Sequence, residues 1–278
     1  KFSIARAAAP MFSPIWGRTR MKTGGIIGDL HAVGTDRLIG QPALPGKARS
    51  GSQAGERLLD GPADQSPEPE MAADDRPQIT LITPPAFDAE TFADRIGRVL
   101  DGVPIACLRL SLGTKDEDIL MRAADSAREA AHARDVAVVI DNHLILADRL
   151  GLDGVHLTDG ARSVRKARKD LGADAIVGAF CGASRHEGMT AGEAGADYVA
   201  LGPVGETRLG DGSRAALETF EWWSEVIEVP VVAEGALTAE LIARFGPVTD
   251  FFAVGEEIWG ADDPLATLKT LLAPLDLR

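Results

Sequence analysis

The feature that most restricts what this chain can fold into is a phrase written three times. Gly151-Leu152-Asp153-Gly154-Val155-His156-Leu157 returns as Gly195-Ala196-Asp197-Tyr198-Val199-Ala200-Leu201-Gly202, and more loosely as Gly246-Pro247-Val248-Thr249-Asp250-Phe251-Phe252-Ala253-Val254-Gly255. Each copy follows a helix-like stretch. The Gly takes the left-handed conformation that closes a helix, and the Asp suits the turn. The apolar run behind it is too short for a helix and apolar on both faces, as in a parallel strand buried on two sides.

From Gln78 onward helix and strand alternate without a break. Strands are expected at Ile79 to Ile82, Pro104 to Leu110, Val136 to Ile140, Gly154 to Leu157, Ala175 to Ala179, Tyr198 to Leu201, Pro230 to Ala233 and Phe251 to Val254. Between them run helices capped by Asp88 and Thr238, one opening at Thr114, and others over about residues 144–150, 161–171, 184–194 and 214–227. A last helix is expected to run unbroken to about Leu272. Eight strands, each followed by a helix, imply an α/β fold of the (β/α)8 TIM-barrel type over residues 77–278. A doubly wound sheet usually stops at five or six.

Residues 1–70 show no sustained period and are rich in Gly, Pro, Ser, Ala and Arg, so residues 1–76 are expected to be a disordered N-terminal extension. The first 28 residues lack acids and fit a transit peptide, whereas Met71 fits a biological start. The second reading is the one expected here. The formal charge of −13 resides in the barrel region, where nineteen Lys/Arg face thirty-three Asp/Glu. Such an acidic domain is a poor partner for nucleic acid or anionic lipid. No apolar run is long enough to cross a bilayer. Two isolated cysteines, Cys107 and Cys181, make neither a zinc site nor a disulfide framework and suit a reducing cytoplasm. A homo-oligomer fits the sequence as well as a monomer does.

In a barrel of this kind chemistry lies at the carboxyl ends of the strands. Those ends carry Arg109, Asp141-Asn142, His156, Thr158-Asp159, Phe180, Gly202-Pro203, Glu234-Gly235 and Gly255-Glu256-Glu257. Arg109 alternates with two outward leucines and so points into the barrel. A buried guanidinium there requires an anionic ligand or a carboxylate such as Glu234 or Asp141. His156 projects inward as a hydrogen-bonded core residue or a ligand contact. Gly235 and Gly255 expose backbone N–H groups suited to a phosphate.

The order of these motifs resembles the thiamine phosphate synthase family and its TenI relatives. The matching pieces are Ile79-Thr80-Leu81-Ile82-Thr83, Leu108-Arg109, Asp153-Gly154-Val155-His156-Leu157, Ile176-Val177-Gly178, Gly195-Ala196-Asp197-Tyr198-Val199, Gly202-Pro203-Val204, Pro230-Val231-Val232-Ala233 and Ala253-Val254. The resemblance implies a transferase of thiamine biosynthesis that joins hydroxymethylpyrimidine diphosphate to a thiazole phosphate, with Mg²⁺ assisting the departure of diphosphate. It implies Arg109, Asp141 and Asn142 as catalytic groups. Arg109, His156, Gly178, Thr207, Arg208, Gly235 and Gly255 would bind the phosphorylated substrate, with Asn142 and Asp159 at the metal.

The sequence departs from the family pattern where that chemistry is done. Cys107-Leu108-Arg109-Leu110-Ser111 keeps the family's Arg and lacks its Lys, and Asp141-Asn142 reverses the usual Asn-Asp. Ala161 stands where a second carboxylate is usual, and Asp159 lies two residues early. Phe180 replaces a Ser, Gly235-Ala236 a Gly-Gly, and Glu256 a Ser. The TenI activity would want a His at Gly182, and His186 is four residues away. An alternative is therefore a lapsed family member that binds a thiazole phosphate, thiamine phosphate or other small phosphorylated ligand without turnover. A sugar-phosphate epimerase would need metal-ligating histidines on alternate strands, which are missing.

Overall fold

The computed structural model describes residues 76–207 and 213–276. The suggested start at Met71 and the proposed ligand contact Arg208 lie outside them. The eight strands are β1 (Gln78–Ile82), β2 (Cys107–Leu110), β3 (Ala137–Asp141), β4 (Gly154–Leu157), β5 (Ile176–Phe180), β6 (Tyr198–Leu201), β7 (Val231–Glu234) and β8 (Phe251–Val254). All pair in parallel with their sequence neighbours, and β8 closes on β1. The helices are α1 (Ala89–Gly102), α2 (Glu117–His132), α3 (Leu144–Leu150), α4 (Val164–Leu171), α5 (Arg185–Glu193), α6 (Leu217–Val226), α7 (Ala239–Phe245), α8 (Glu256–Trp259) and α9 (Pro264–Leu271).

The strands fall where the apolar runs place them, to within a few residues. The helix ends differ more. Asp116, not Thr114, caps α2 by accepting the N–H groups of Asp118 and Ile119. The helix expected after β8 breaks in two, because Asp263 caps a fresh start at Pro264, a residue at home in a first turn.

Alternation splits the strand residues between two cores. Ile79, Leu81, Leu108, Leu110, Val138, Ile140, Val155 and Leu157 face outward and pack under the helices. The register stacks the inward residues in layers drawn from alternate strands. Ile82, Asp141, Phe180 and Glu234 form the top layer at the carboxyl end. Arg109, His156, Ala200 and Ala253 come next, then Thr80, Val139, Gly178 and Val232, then Cys107, Gly154, Tyr198 and Phe251, with Gln78, Ala137 and Ile176 at the amino end. The four top residues are half-buried and the three layers beneath them buried, so side chains fill the barrel below Arg109.

The thrice-repeated Asp has one structural role. Asp153 Oδ2 accepts the N–H of Val138 at 2.7 Å, Asp197 Oδ2 that of Val177 at 2.7 Å, and Asp250 Oδ2 that of Val231 at 2.9 Å. In return, the backbone N–H of each Asp donates to the carbonyl of that same residue, at 2.9, 2.8 and 3.1 Å. The strands β4, β6 and β8 are thus each latched to the odd strand before them, at the end remote from the mouth. Basic side chains back two of the latches: His132 meets Asp153 at 2.9 Å, and Arg168 meets Asp197.

Candidate active site

Arg109 sits where alternation places it and meets both carboxylates that the sequence offered. Its Nε donates to Asp141 Oδ1 at 2.7 Å, its Nη2 to Asp141 Oδ2 at 3.3 Å, and its Nη1 to Glu234 Oε2 at 2.8 Å. The guanidinium therefore bridges β3 and β7 across the floor of the mouth, with 9% of its side chain exposed. Burial opposes its charge, and Glu234 and Asp141 more than reverse that, so it stays protonated. Glu234 is pushed upward by burial. Arg109 pulls the other way, and the negative charges of Asp141 and Glu257 add to the rise.

Below this floor, His156 Nδ1 shares a 2.9 Å hydrogen bond with the hydroxyl of Tyr198, and the two rings lie 5.7 Å apart. Burial, and then the nearby Arg109 charge, hold the imidazole well below its ordinary pKa. Burial likewise lifts the Tyr198 phenol well above its own. Both are neutral around pH 7, and His156 Nε2 is buried without a partner. Gly178 makes this pair feasible: a Cβ there would lie 2.0 Å from Tyr198 Cζ. The space in front of Gly178, expected to take substrate, holds the tyrosine ring. Tyr198 is the one tyrosine in the chain, a signal the sequence reading passed over.

The two residues expected at a metal are tied to their own loops. Asn142, at φ +60°, donates through Nδ2 to Thr158 Oγ1 at 2.8 Å and accepts the Thr158 N–H at 3.0 Å, joining the loops after β3 and β4. Asp159 Oδ2 accepts from Ser163 Oγ at 2.7 Å just before α4. Among the described residues no cluster of three Asp, Glu, His or Cys side chains is placed to hold a metal ion. A Mg²⁺ that takes most ligands from diphosphate and water needs only one or two protein oxygens. The exposed Asp159 carboxylate and the second lone pair of the Asn142 amide oxygen suit that mode.

Thr207 is half-buried at the end of the described part of the Gly-rich loop. The loop after β7 turns through two left-handed residues, Gly235 (φ +90°) and Ala236 (φ +52°). Glu256, which stands where the family pattern has a Ser, is exposed to solvent. Its neighbour reaches in instead: Glu257 Oε1 accepts the N–H of Leu237 at 3.0 Å, and Oε2 that of Gly255 at 2.8 Å. Alternation and spacing place Glu257 at the end of β8 without indicating this bridge. Cys107 lies deep in the barrel on β2 and Cys181 just after β5, both buried with thiols pushed up to about 12, chiefly by burial. A groove between α1 and α2, lined by Gly97, Asp101 and Arg134, lies on the helical exterior, away from these groups.

A closed parallel barrel with polar groups converging at the carboxyl ends of its strands places the chain among the (β/α)8 barrels. The model of the thiamine monophosphate synthase family matches residues 79–249, and the chain belongs to that family. It is 42% identical over 186 residues to the thiamine-phosphate synthase of Rhodospirillum centenum, covering 66% of this chain and 89% of that one. With the thiamine-phosphate synthase of Erythrobacter litoralis it shares 38% identity over 199 residues, covering 68% and 91%. The fold matches that of thiamine phosphate pyrophosphorylase from Pyrococcus furiosus with a TM-score of 0.63 at 22% identity, over 72% of this chain and 95% of that one. Among the described residues no helix is long and apolar enough to cross a membrane.

Proposed function

We propose that the protein is a thiamine-phosphate synthase, joining hydroxymethylpyrimidine diphosphate to a thiazole phosphate with release of diphosphate. The observation that carries this reading is the family match, which runs through the barrel from β1 to the turn before β8. In the proposed reaction the bond from the pyrimidine methylene to diphosphate breaks, diphosphate leaves with the electron pair, and the thiazole nitrogen attacks the cationic carbon.

The chain's own residues support both charges of that step. Asp141 and Glu234 lie in the top layer with one guanidinium between them, so the floor favours positive charge developing above it. Arg109 fixes the two carboxylates in place and is the catalytic group by orientation as well as charge. Asn142 and Thr158 brace the adjoining loops. Thr207, Arg208 and the N–H groups near Gly235 and Gly255 are the proposed contacts for phosphate oxygens, with His156 supporting the floor from below. Mg²⁺, held by Asp159 and Asn142, would supply the positive charge that a departing diphosphate requires.

Purified protein supplied with both substrates and Mg²⁺ is expected to release thiamine phosphate and diphosphate in equal amounts. Folded protein that forms neither would refute the assignment.

A further inference from the structure

In barrels of this type, a ligand's phosphate commonly rests on backbone N–H groups of the loops after β7 and β8. In this chain two such groups have an internal occupant. One carboxylate, that of Glu257, bridges Leu237 on the first loop and Gly255 on the second. The Gly255 contact alone would be local capping of the short α8. The contact to Leu237 spans twenty residues of sequence and belongs to a different strand's loop. A carboxylate and a phosphate present similar oxygens to such donors, so the two compete for the same N–H groups. Glu257 is half-buried, and its negative charge adds to the upward push on the Glu234 carboxyl in the top layer.

We propose that Glu257 is a specificity-determining residue of this barrel: it holds the two N–H groups itself, and a phosphorylated ligand binds at this end of the mouth only by displacing it. The inference rests on the phosphorylated acceptor of the proposed function. Phosphate affinity at this end is then set by an exchange of one anion for another. Removing the internal anion strengthens phosphate binding, although it also removes two hydrogen bonds from the free protein.

The test is titration of the full-length protein with inorganic phosphate, followed by calorimetry and by the phosphate-dependent rise in Tm. Glu257→Gln keeps the side-chain volume but not two acceptor oxygens, and Glu257→Ala vacates both N–H groups. Glu256→Gln, at the exposed neighbour, changes net charge equally and serves as the control. Both Glu257 variants are expected to bind phosphate about tenfold or more tighter than wild type, a difference of roughly 1.4 kcal/mol. Glu256→Gln should stay within about twofold of wild type. Binding by either Glu257 variant no tighter than by Glu256→Gln would overturn the proposal. No turnover is needed, so the outcome is separable from the synthase assay. Product formation without the gain in phosphate affinity removes only this inference, and the gain without product removes only the synthase reading.

Discussion

The two rims of the barrel are built on opposite principles. At the lower rim one device repeats: an Asp before an even strand exchanges two hydrogen bonds with one residue of the preceding odd strand. At the upper rim nothing repeats. Arg109 is shared by Asp141 and Glu234, Asn142 is locked to Thr158, and Glu257 spans two loops. The lower rim can repeat because its only task is to hold strands in register. In the proposed function the upper rim meets an asymmetric ligand, which calls for a different group at each strand end.

The largest effect should come from breaking the floor. Arg109→Met leaves Asp141 and Glu234 half-buried without their cation, and is expected to cost about 3–5 kcal/mol in urea unfolding and to abolish product formation. Removing the charge of both carboxylates along with it, in the Arg109→Met/Asp141→Asn/Glu234→Gln variant, should recover much of the stability and none of the activity. A stable, active Arg109→Met would erase the distinction between the rims.

Next comes Gly178→Ala, whose methyl group must displace the Tyr198 ring; overpacking of this kind costs about 1–3 kcal/mol. At the lower rim, Asp197→Ala should cost about 1–2 kcal/mol, because the Val177 N–H loses its acceptor and Arg168 its carboxylate contact, keeping its bonds to the Gly195 and Ala175 carbonyls. The KM for either substrate should not move. A changed KM would mean that the lower rim is not purely structural.

The smallest effect is one of pH. His156 is neutral in the fold with its pKa held below the ordinary value, whereas the unfolded chain takes up a proton near pH 6.5. Stability from this group is therefore present above that pH and falls as pH drops below it. Glu234, with its pKa raised, contributes in the opposite sense, losing stability as pH rises above about 4.5. Comparing His156→Gln with wild type in urea between about pH 7.5 and about pH 5 isolates the histidine. The variant should lose less stability on acidification, and an identical loss would place His156 elsewhere than in this buried pair.

The same contrast governs what could be read in advance. Repetition made the lower rim legible, since two Gly-x-Asp phrases and the looser copy carrying Asp250 name the latch residues without naming their partners, although Gly246 of that third copy is right-handed where Gly151 and Gly195 are left-handed. Strand number and order followed from the apolar runs. Helix ends were less legible: Thr114 lost to Asp116 as a cap, and Asp263-Pro264 restarted a helix that hydrophobicity alone would continue. At the upper rim alternation placed Arg109 inward and named Asp141 and Glu234 as alternative partners. That it takes both follows from their standing in one layer, a consequence of register and closure. The roles of Tyr198 and Glu257 were not legible, because they depend on a neighbour's missing Cβ and on a loop twenty residues away.

Hydrogen exchange of the backbone amides, with and without thiamine phosphate, tests most directly whether ligand is met at the upper rim alone. Slowed exchange is expected in the loops that follow β3, β4, β7 and β8, around Asn142, Thr158, Leu237 and Gly255, with Val138, Val177 and Val231 unchanged. Protection concentrated at those lower-rim valines or on the outer helices, with the upper loops unaffected, would contradict it.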